Sequence, residues 1–207
     1  MMSTVLRLFA FLMLLPVAAA AQNFPALYDV YGVASDDSLN VRETPAPGAP
    51  ILGTLAHDEV DVEVVARHGN WGRVRVGEVS GWASLRFLQA QSSSGYPLSR
   101  ILQCSGTEPF WGLEIIQGSY AQFLSPDDVG PRLNVAGLVS AAGRPDRWRM
   151  ITTATNTAPG HKLTAVLRRQ SCGDGMSDIE YGLDVDVIVV TPGATTHYAG
   201  CCSLTSN

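Results

Sequence analysis

The chain has 207 residues, of which 46% are hydrophobic and 16% are charged, and its formal net charge is -5. This composition excludes an intrinsically disordered chain, which carries more charge and fewer branched and aromatic residues. The negative charge also argues against nucleic-acid binding, which requires a basic surface to displace counterions from phosphates. We therefore expect one or two folded domains that do not bind nucleic acid.

The first 21 residues have the order of a secretory signal peptide. Arg7 is followed by an apolar run from Leu8 to Leu15 and by the small residues Ala18 to Ala21. The apolar run is shorter than the roughly 20 residues that span a bilayer. No cysteine follows the expected cleavage before Gln22, as a lipid anchor would require. We predict a cleaved signal peptide over residues 1–21 and a soluble periplasmic or secreted protein.

Residues 22–90 are predicted to form a small all-β unit. Val62–Val65 and Arg73–Val76 contain the period-two alternation of half-buried strands. Thr44–Pro50 contains three prolines and is predicted to be a loop. Gly69-Asn70 and Ser80-Gly81 are predicted to be tight turns between strands.

This unit resembles the bacterial SH3-like domain. The segments that carry the resemblance, in order along the chain, are Leu39–Pro45, Ile51–Leu55, Trp71–Val74, Gly81–Ala83 and Phe87-Leu88. The resemblance implies a small barrel that attaches an exported protein to cell-wall peptides or other envelope components. Asp58-Glu59 departs from the family pattern, in which a glycine turn is usual at this point.

Two roles are open for the aromatic residues of this unit. The aliphatic residues assigned to the barrel core are Leu39, Val41, Ile51, Leu55 and Val64. Trp71 and Trp82 are expected to close that core as large apolar plugs. Alternatively, their edges form an aromatic strip for a peptide together with Tyr28 and Tyr31. These four aromatic residues are the candidate ligand-binding residues of the first module.

Residues 91–100 are predicted to be an interdomain linker, because they are rich in serine and carry no charge before Arg100. Residues 101–207 are predicted to form a second antiparallel β domain, either a barrel or a sandwich, stapled by disulfides. Its alternating or apolar segments are Trp111–Ile115, Arg147–Ile151, Leu163–Leu167 and Leu183–Val190. In the last segment, alternate residues face one side, with Asp184 and Asp186 opposite.

Three signatures make this second module similar to a group of exported bacterial proteins. They are Gly106–Trp111, Cys172–Asp178 and Gly200-Cys201, and Gly173 stands where the group typically has serine. The resemblance supplies no activity.

The four cysteines are expected to form two disulfides, because export places them in an oxidising compartment. A bridge between the neighbours Cys201 and Cys202 is disfavoured by ring strain, and geometry leaves the other two connectivities open. If residues 198–202 form a strand, Cys201 and Cys202 point to opposite faces. The resemblance implies that Cys172 pairs with Cys201, because the cysteines of its second and third signatures occur together, and this leaves Cys104 with Cys202.

Five residues of the second module are candidate ligand-binding residues: Glu108, Phe110, Trp111, Asp174 and Asp178. Glu108 is the most suggestive acid, because burial against the neighbouring aromatic side chains would raise its pKa. Asp174 and Asp178 lie in a turn-rich segment, where loop hydrogen bonds are the expected role. His197 and the cysteines have donor atoms for zinc, but disulfides account for all four sulfurs, so we expect no metal and no cofactor.

We predict a non-catalytic exported envelope protein. Its SH3-like module is expected to bind a cell-wall peptide or an envelope protein, and its second module a further ligand. One alternative is a periplasmic protein inhibitor of a wall-degrading enzyme, similar to the lysozyme inhibitors. The other alternative is a hydrolase that uses Glu108.

The signal peptide gives a direct prediction. The exported protein should begin at or within a few residues of Gln22, because the small residues before it suit a signal peptidase. Intact-mass measurement of the protein recovered from the periplasm or medium tests this. A product that retains Met1 would contradict export by cleavage and remove the basis for an oxidising compartment.

Overall fold

The computed structural model describes residues 23–92, 95–153 and 156–205. The predicted signal peptide lies outside these residues, as do Ser93 and Ser94 of the predicted linker. Within them, every regular element is a β-strand except one 3-10 turn, Leu85–Phe87, so the all-β class is confirmed. No helix in this described part is long and apolar enough to cross a membrane.

Residues 26–90 form a seven-stranded antiparallel sheet. Its strands are β1 (Ala26–Val30), β2 (Ser38–Arg42), β3 (Ile51–Ala56), β4 (Val62–His68), β5 (Trp71–Val76), β6 (Val79–Ser84) and β7 (Leu88–Ala90). Their spatial order is β3-β2-β6-β5-β4-β1-β7. The last strand, β7, therefore pairs with the first, β1. Consecutive hairpins join β4 to β5 and β5 to β6.

The core of this sheet agrees with the prediction except at one position. Leu39, Val41, Leu55 and Val64 are buried in one hydrophobic cluster. Ile51 was expected there but is 53% exposed. It begins the edge strand β3, opposite a register shift in β2, and this irregularity takes its side chain away from the core.

One predicted turn is confirmed and one is wrong. Gly69-Asn70 joins β4 to β5, with Gly69 in the left-handed region at φ +56°. Ser80-Gly81 lies inside β6 instead, and the turn before that strand contains Gly77 at φ +58°. A Cβ added to Gly81 would lie 2.6 Å from Cγ1 of Val41, so this glycine permits close packing of two strands.

The segment around Asp58-Glu59 makes a turn without glycine. The backbone N–H of Glu59 donates to the carbonyl of Ala56 at 3.2 Å, and the N–H of Ala56 donates to Oε2 of Glu59 at 2.7 Å. The side chain of Glu59 therefore closes the turn, and the departure from the family pattern does not disturb the strands on either side.

Residues 101–205 contain a nine-stranded antiparallel sheet. Its strands are β8 (Ile101–Thr107), β9 (Phe110–Ile116), β10 (Tyr120–Leu124), β11 (Leu133–Asn134), β12 (Val139–Ala141), β13 (Arg144–Ile151), β14 (Lys162–Gly173), β15 (Glu180–Thr191) and β16 (Ala194–Thr205). Their spatial order is β11-β10-β9-β8-β16-β15-β14-β13-β12. An antiparallel bridge between Asn134 and Thr153 links β11 to the chain after β13, so the sheet curls into a barrel.

The predicted strand over Leu183–Val190 lies within β15 and shows the expected two faces. Leu183, Val185 and Val187 are fully buried in the barrel core. On the other face, Nε of Arg168 donates to Oδ1 of Asp184 at 2.7 Å, and Arg168 also pairs with Asp186. The alternation of apolar and acidic residues therefore separates the core from a surface ion-pair group.

Both disulfides have the pairing that the resemblance implied. Cys104 is bonded to Cys202, directly opposite it across β8 and β16, and both belong to the barrel core. Cys201 lies next to Cys202 in the same strand, points to the other face and is bonded to Cys172. The strand geometry expected for residues 198–202 is therefore present.

The two sheets contact each other where β1, β4, β5 and β6 of the first module meet β15 and β16 of the second. The backbone N–H of Ser80 donates to the carbonyl of Asp178 at 3.1 Å, and the N–H of Glu180 donates to Oγ of Ser80 at 2.8 Å. Nε of Arg73 lies 2.7 Å from Oε2 of Glu180. A Cβ added to Gly182 would lie 2.8 Å from Cβ of Pro25, so the chains approach closely at this contact.

A buried carboxyl group lies in this interface between the modules. The side chain of Glu63 in β4 forms a hydrogen bond with the backbone of Leu204 in β16. Its Oε1 atom is inaccessible to solvent and has no hydrogen-bond partner among the described residues. Burial raises the pKa of Glu63 to about 8, although the Leu204 hydrogen bond acts in the opposite direction.

Glu63 should make stability depend on pH. Its contribution is fully present below its unfolded pKa of about 4.5 and is lost as pH rises toward 8, because the folded state then holds a buried charge. Glu63→Gln should therefore be more stable than the native chain at pH 9, by on the order of 3 kcal/mol, and similar to it at pH 4.5. Urea denaturation at pH 4.5, 7 and 9 measures this difference in the free energy of unfolding. Glu43→Gln, at an exposed position, is the control. Parallel pH curves for the native chain and Glu63→Gln would contradict it.

Candidate functional site

A groove of about 360 Å³ opens on the first module. It lies between the loop that follows β1, the loop between β2 and β3, and the start of β5. Trp71 and Phe87 supply its aromatic surface, and Asp37, Asn40 and Arg42 supply polar groups. A largely apolar wall with a few polar groups is typical of a site that binds an extended peptide or a small ligand.

Hydrogen bonds fix the loops on both sides of the groove. Nη1 of Arg42 donates to the carbonyl of Ala49 at 2.6 Å, which holds the proline-rich loop between β2 and β3. The backbone N–H of Tyr31 donates to the carbonyl of Phe87 at 2.9 Å, which holds the loop after β1. Tyr31 directly precedes the groove residue Gly32 in the sequence, and its side chain is 65% exposed. The groove is therefore formed before any ligand binds, which lowers the entropic cost of binding.

The predicted aromatic strip is divided between three places. Tyr28 is 3% exposed and belongs to the core, Trp71 lines the groove, and Tyr31 is exposed and does not line it. Trp82 is half-buried outside the core cluster, with its ring 5.4 Å from Cζ of Arg73 and 6.2 Å from the ring of His68. Trp71 is also outside that cluster, so the expectation that both indoles close the core was wrong.

Sequence reasoning missed Phe87 and Asp37 as groove residues. Phe87 stands in the segment that resembles the SH3-like family, but nothing in the sequence alone indicates that its ring faces the groove. Asp37 lies in a loop, where neither strand alternation nor helical periodicity assigns a side. The two residues are distant in the sequence and line the same groove only in the folded domain.

The signatures of the second module meet around a buried tryptophan. Trp111 lies in the barrel, 5.8 Å from the ring centres of both Phe123 and Tyr198. A Cβ added to Gly106 would overlap the Trp111 indole, and one added to Gly200 would overlap the carbonyl oxygen of Ser105. The first and third signatures thus make space for Trp111, which is a core residue and not an exposed ligand contact.

The middle signature forms a loop held by Asp174. The carboxylate of Asp174 accepts hydrogen bonds from the backbone N–H groups of Met176 at 2.9 Å and Ser177 at 2.8 Å, and from the Ser177 hydroxyl at 2.8 Å. These bonds lower the pKa of Asp174. Oγ1 of Thr107 donates to the Asp174 carbonyl at 2.8 Å, which ties this loop to the first signature. The hydrogen bonds expected in this turn-rich segment are therefore present.

Glu108, Phe110 and Asp178 lie on the surface of the second module. Glu108 is exposed, so the burial that would suit it to general-acid chemistry is missing. Phe110 is 56% exposed, and the side chain of Asp178 is exposed while its carbonyl contacts Ser80. The described residues contain no group of three or more His, Cys, Asp or Glu side chains that could hold a metal ion.

The first module has the features of a small binding barrel: a curled antiparallel sheet, a compact core and an aromatic groove. Residues 37–89 match the family model of the bacterial SH3 domain. The chain therefore contains a bacterial SH3 domain, as the resemblance implied, and Asp37, Trp71 and Phe87 all fall within the matched range. No curated protein and no solved structure matches the chain.

The close approach at Gly200 can be tested by mutation. Gly200→Ala should destabilise the second module by about 2 to 4 kcal/mol, because the new methyl group meets backbone as well as the Trp111 ring. Gly173→Ala is the matched control, since no heavy atom lies within 4 Å of its added Cβ, and it should change stability by less than about 0.5 kcal/mol. Thermal denaturation of both variants measures the difference. Equal stability of the two variants would contradict the packing role.

Proposed function

We propose that this chain is an exported cell-envelope protein whose SH3 domain binds a cell-wall peptide or a peptide segment of an envelope protein. The observation that carries the proposal is the preformed groove with Trp71 and Phe87 on its surface. Two disulfides and the sequence of residues 1–21 support an oxidising, extracytoplasmic location.

The chemistry of the groove supports a peptide ligand. Flat aromatic side chains provide a large apolar contact area at a low cost in side-chain entropy. The carboxylate of Asp37, at the edge of the groove, suits an amino group or a backbone N–H donor on the ligand. The loops on either side are already fixed, so binding does not require them to become ordered.

A second candidate function, inhibition of a wall-degrading enzyme, is favoured by a feature of the second module. Phe110, the first residue of β9, is 56% exposed, and Met176 of the Asp174 loop is 67% exposed. The Thr107 to Asp174 hydrogen bond ties the β8–β9 hairpin to this loop. Exposed apolar side chains on two segments that are held together suit insertion into the cleft of another protein. Assay of lysozyme in the presence of the purified protein separates this function from simple binding.

The binding function is tested by sedimentation with purified peptidoglycan sacculi. Trp71→Ala should weaken binding at least tenfold, because it removes an aromatic contact of the kind that dominates binding energy. Trp82→Ala is the matched control: it removes a tryptophan of the same domain that does not line the groove, and it should retain binding. Far-UV circular dichroism verifies that both variants are folded.

Equal loss of binding in the two tryptophan variants would show that the groove is not the binding site. If the native protein fails to bind sacculi, the cell-wall ligand is wrong. Cross-linking to envelope proteins through a photoreactive group at Tyr31 then tests the protein ligand, and a Trp71→Ala variant that gives the same products would contradict the groove.

A further inference from the structure

A second cavity, of about 500 Å³, lies between the two modules. Its walls come from the start of β1, from residues 90–92 and 96–100, and from the end of β14. Aliphatic side chains and Tyr96 form much of its surface, and two arginines, Arg100 and Arg169, also line it. None of the described residues that line it is Asp or Glu. In a chain with a net charge of -5, this cavity is therefore locally positive.

Arg169 stands at the end of an inward-facing row of β14. Leu163, Ala165 and Leu167 alternate along that strand and are buried in the barrel core. Arg169 is the next residue of the same row, so its side chain enters the end of the barrel interior. Its Cζ atom lies 4.9 Å from the ring centre of Trp148, which is buried in the same core. The guanidinium is thus held against a fixed aromatic surface.

No group in the described part of the chain neutralises Arg169. Its Nε atom is buried and has no hydrogen-bond partner there. No carboxylate oxygen of the described residues lies within 4 Å of its guanidinium nitrogens, the distance limit for an ion pair. Burial lowers the pKa of Arg169, while the more distant charge of Asp146 acts in the opposite direction. The neighbouring Arg168, on the outer face, pairs with both Asp184 and Asp186. The difference matters because a partly buried cation without an ion-pair partner is less favourable than a paired one.

We propose that the cavity between the modules binds a small organic carboxylate, with Arg169 as its main anchor. A guanidinium offers two parallel N–H donors that match the two oxygens of a carboxylate. Arg100 adds a second positive charge at the cavity, and Leu27, Leu98 and Tyr96 provide apolar contacts for the body of the ligand. An inorganic phosphate has no apolar part that could contact these walls. The site is separate from the groove of the SH3 domain.

Binding is tested on the mature chain with two probes, hexanoate and N-acetylalanylalanine, each compared with its amide. Isothermal titration gives the affinity, and a change in tryptophan fluorescence that is absent from a Trp148→Phe variant reports binding beside Arg169. At least one free carboxylate should bind, and its amide should bind at least tenfold more weakly, because the charge-assisted hydrogen bonds are lost. Arg169→Met, which keeps an apolar chain over Trp148, should lose at least tenfold in affinity.

Arg149→Gln is the matched control, because this arginine of β13 is exposed and does not line the cavity. If Arg169→Met fails to fold, Arg100→Gln decides, since Arg100 is exposed: affinity should fall several-fold, with a weaker dependence on salt. The proposal is overturned if neither carboxylate binds at millimolar concentration. It is also overturned if the amides bind equally well, if the cavity variants bind like Arg149→Gln, or if inorganic phosphate binds and the carboxylates do not.

Discussion

The pleat of β16 at Cys201 and Cys202 is the constraint on which the second module depends. Because successive side chains of a strand point to opposite faces, one sulfur enters the barrel core and the next lies outside it. The inner bond joins the first and last strands of the module, and the outer bond holds the strand that leads into the Asp174 loop. The residues that follow this loop contact Ser80 of the SH3 domain. One local feature of a strand thus positions both the signature loop and the contact between modules.

Strand alternation made much of the fold predictable, and its limits explain the errors. The pattern around Val62–Val65 predicts a strand correctly, but it treats Glu63 as a solvent-facing residue. Glu63 is half-buried, with its Oε1 atom inaccessible to solvent, because β16 of the other module lies over that face. A contact between distant segments leaves no local periodicity in the sequence. Ile51 is exposed because of a register shift, which changes the side of a side chain without changing its hydrophobicity. Glycine is common in turns, but Gly81 lies within a strand, where the lack of a side chain permits close contact with Val41.

The sequence predicts the kind of site, a binding module, but only some of the residues that form it. The matched SH3 range indicates a binding module, and Trp71 is a groove residue. Tyr28 and Tyr31 are equivalent by composition, yet one faces the core and the other lies beyond the end of β1. Arg169 follows the predicted segment Leu163–Leu167, and its position became meaningful only when the barrel showed which row faces inward. Side-chain direction at a strand end depends on neighbouring strands, which a single sequence does not reveal.

The inner disulfide also determines how the chain carries mechanical load. The SH3 domain precedes β8, and the last described strand is β16, so a pull between the SH3 domain and the end of β16 enters the second module at Ile101 and leaves it at Thr205. The covalent bond between Cys104 and Cys202 joins these two strands directly, across a sequence separation of 98 residues. Tension therefore passes through the bond and bypasses the enclosed chain. Most of the barrel stays unstrained under a force that would otherwise unravel it strand by strand.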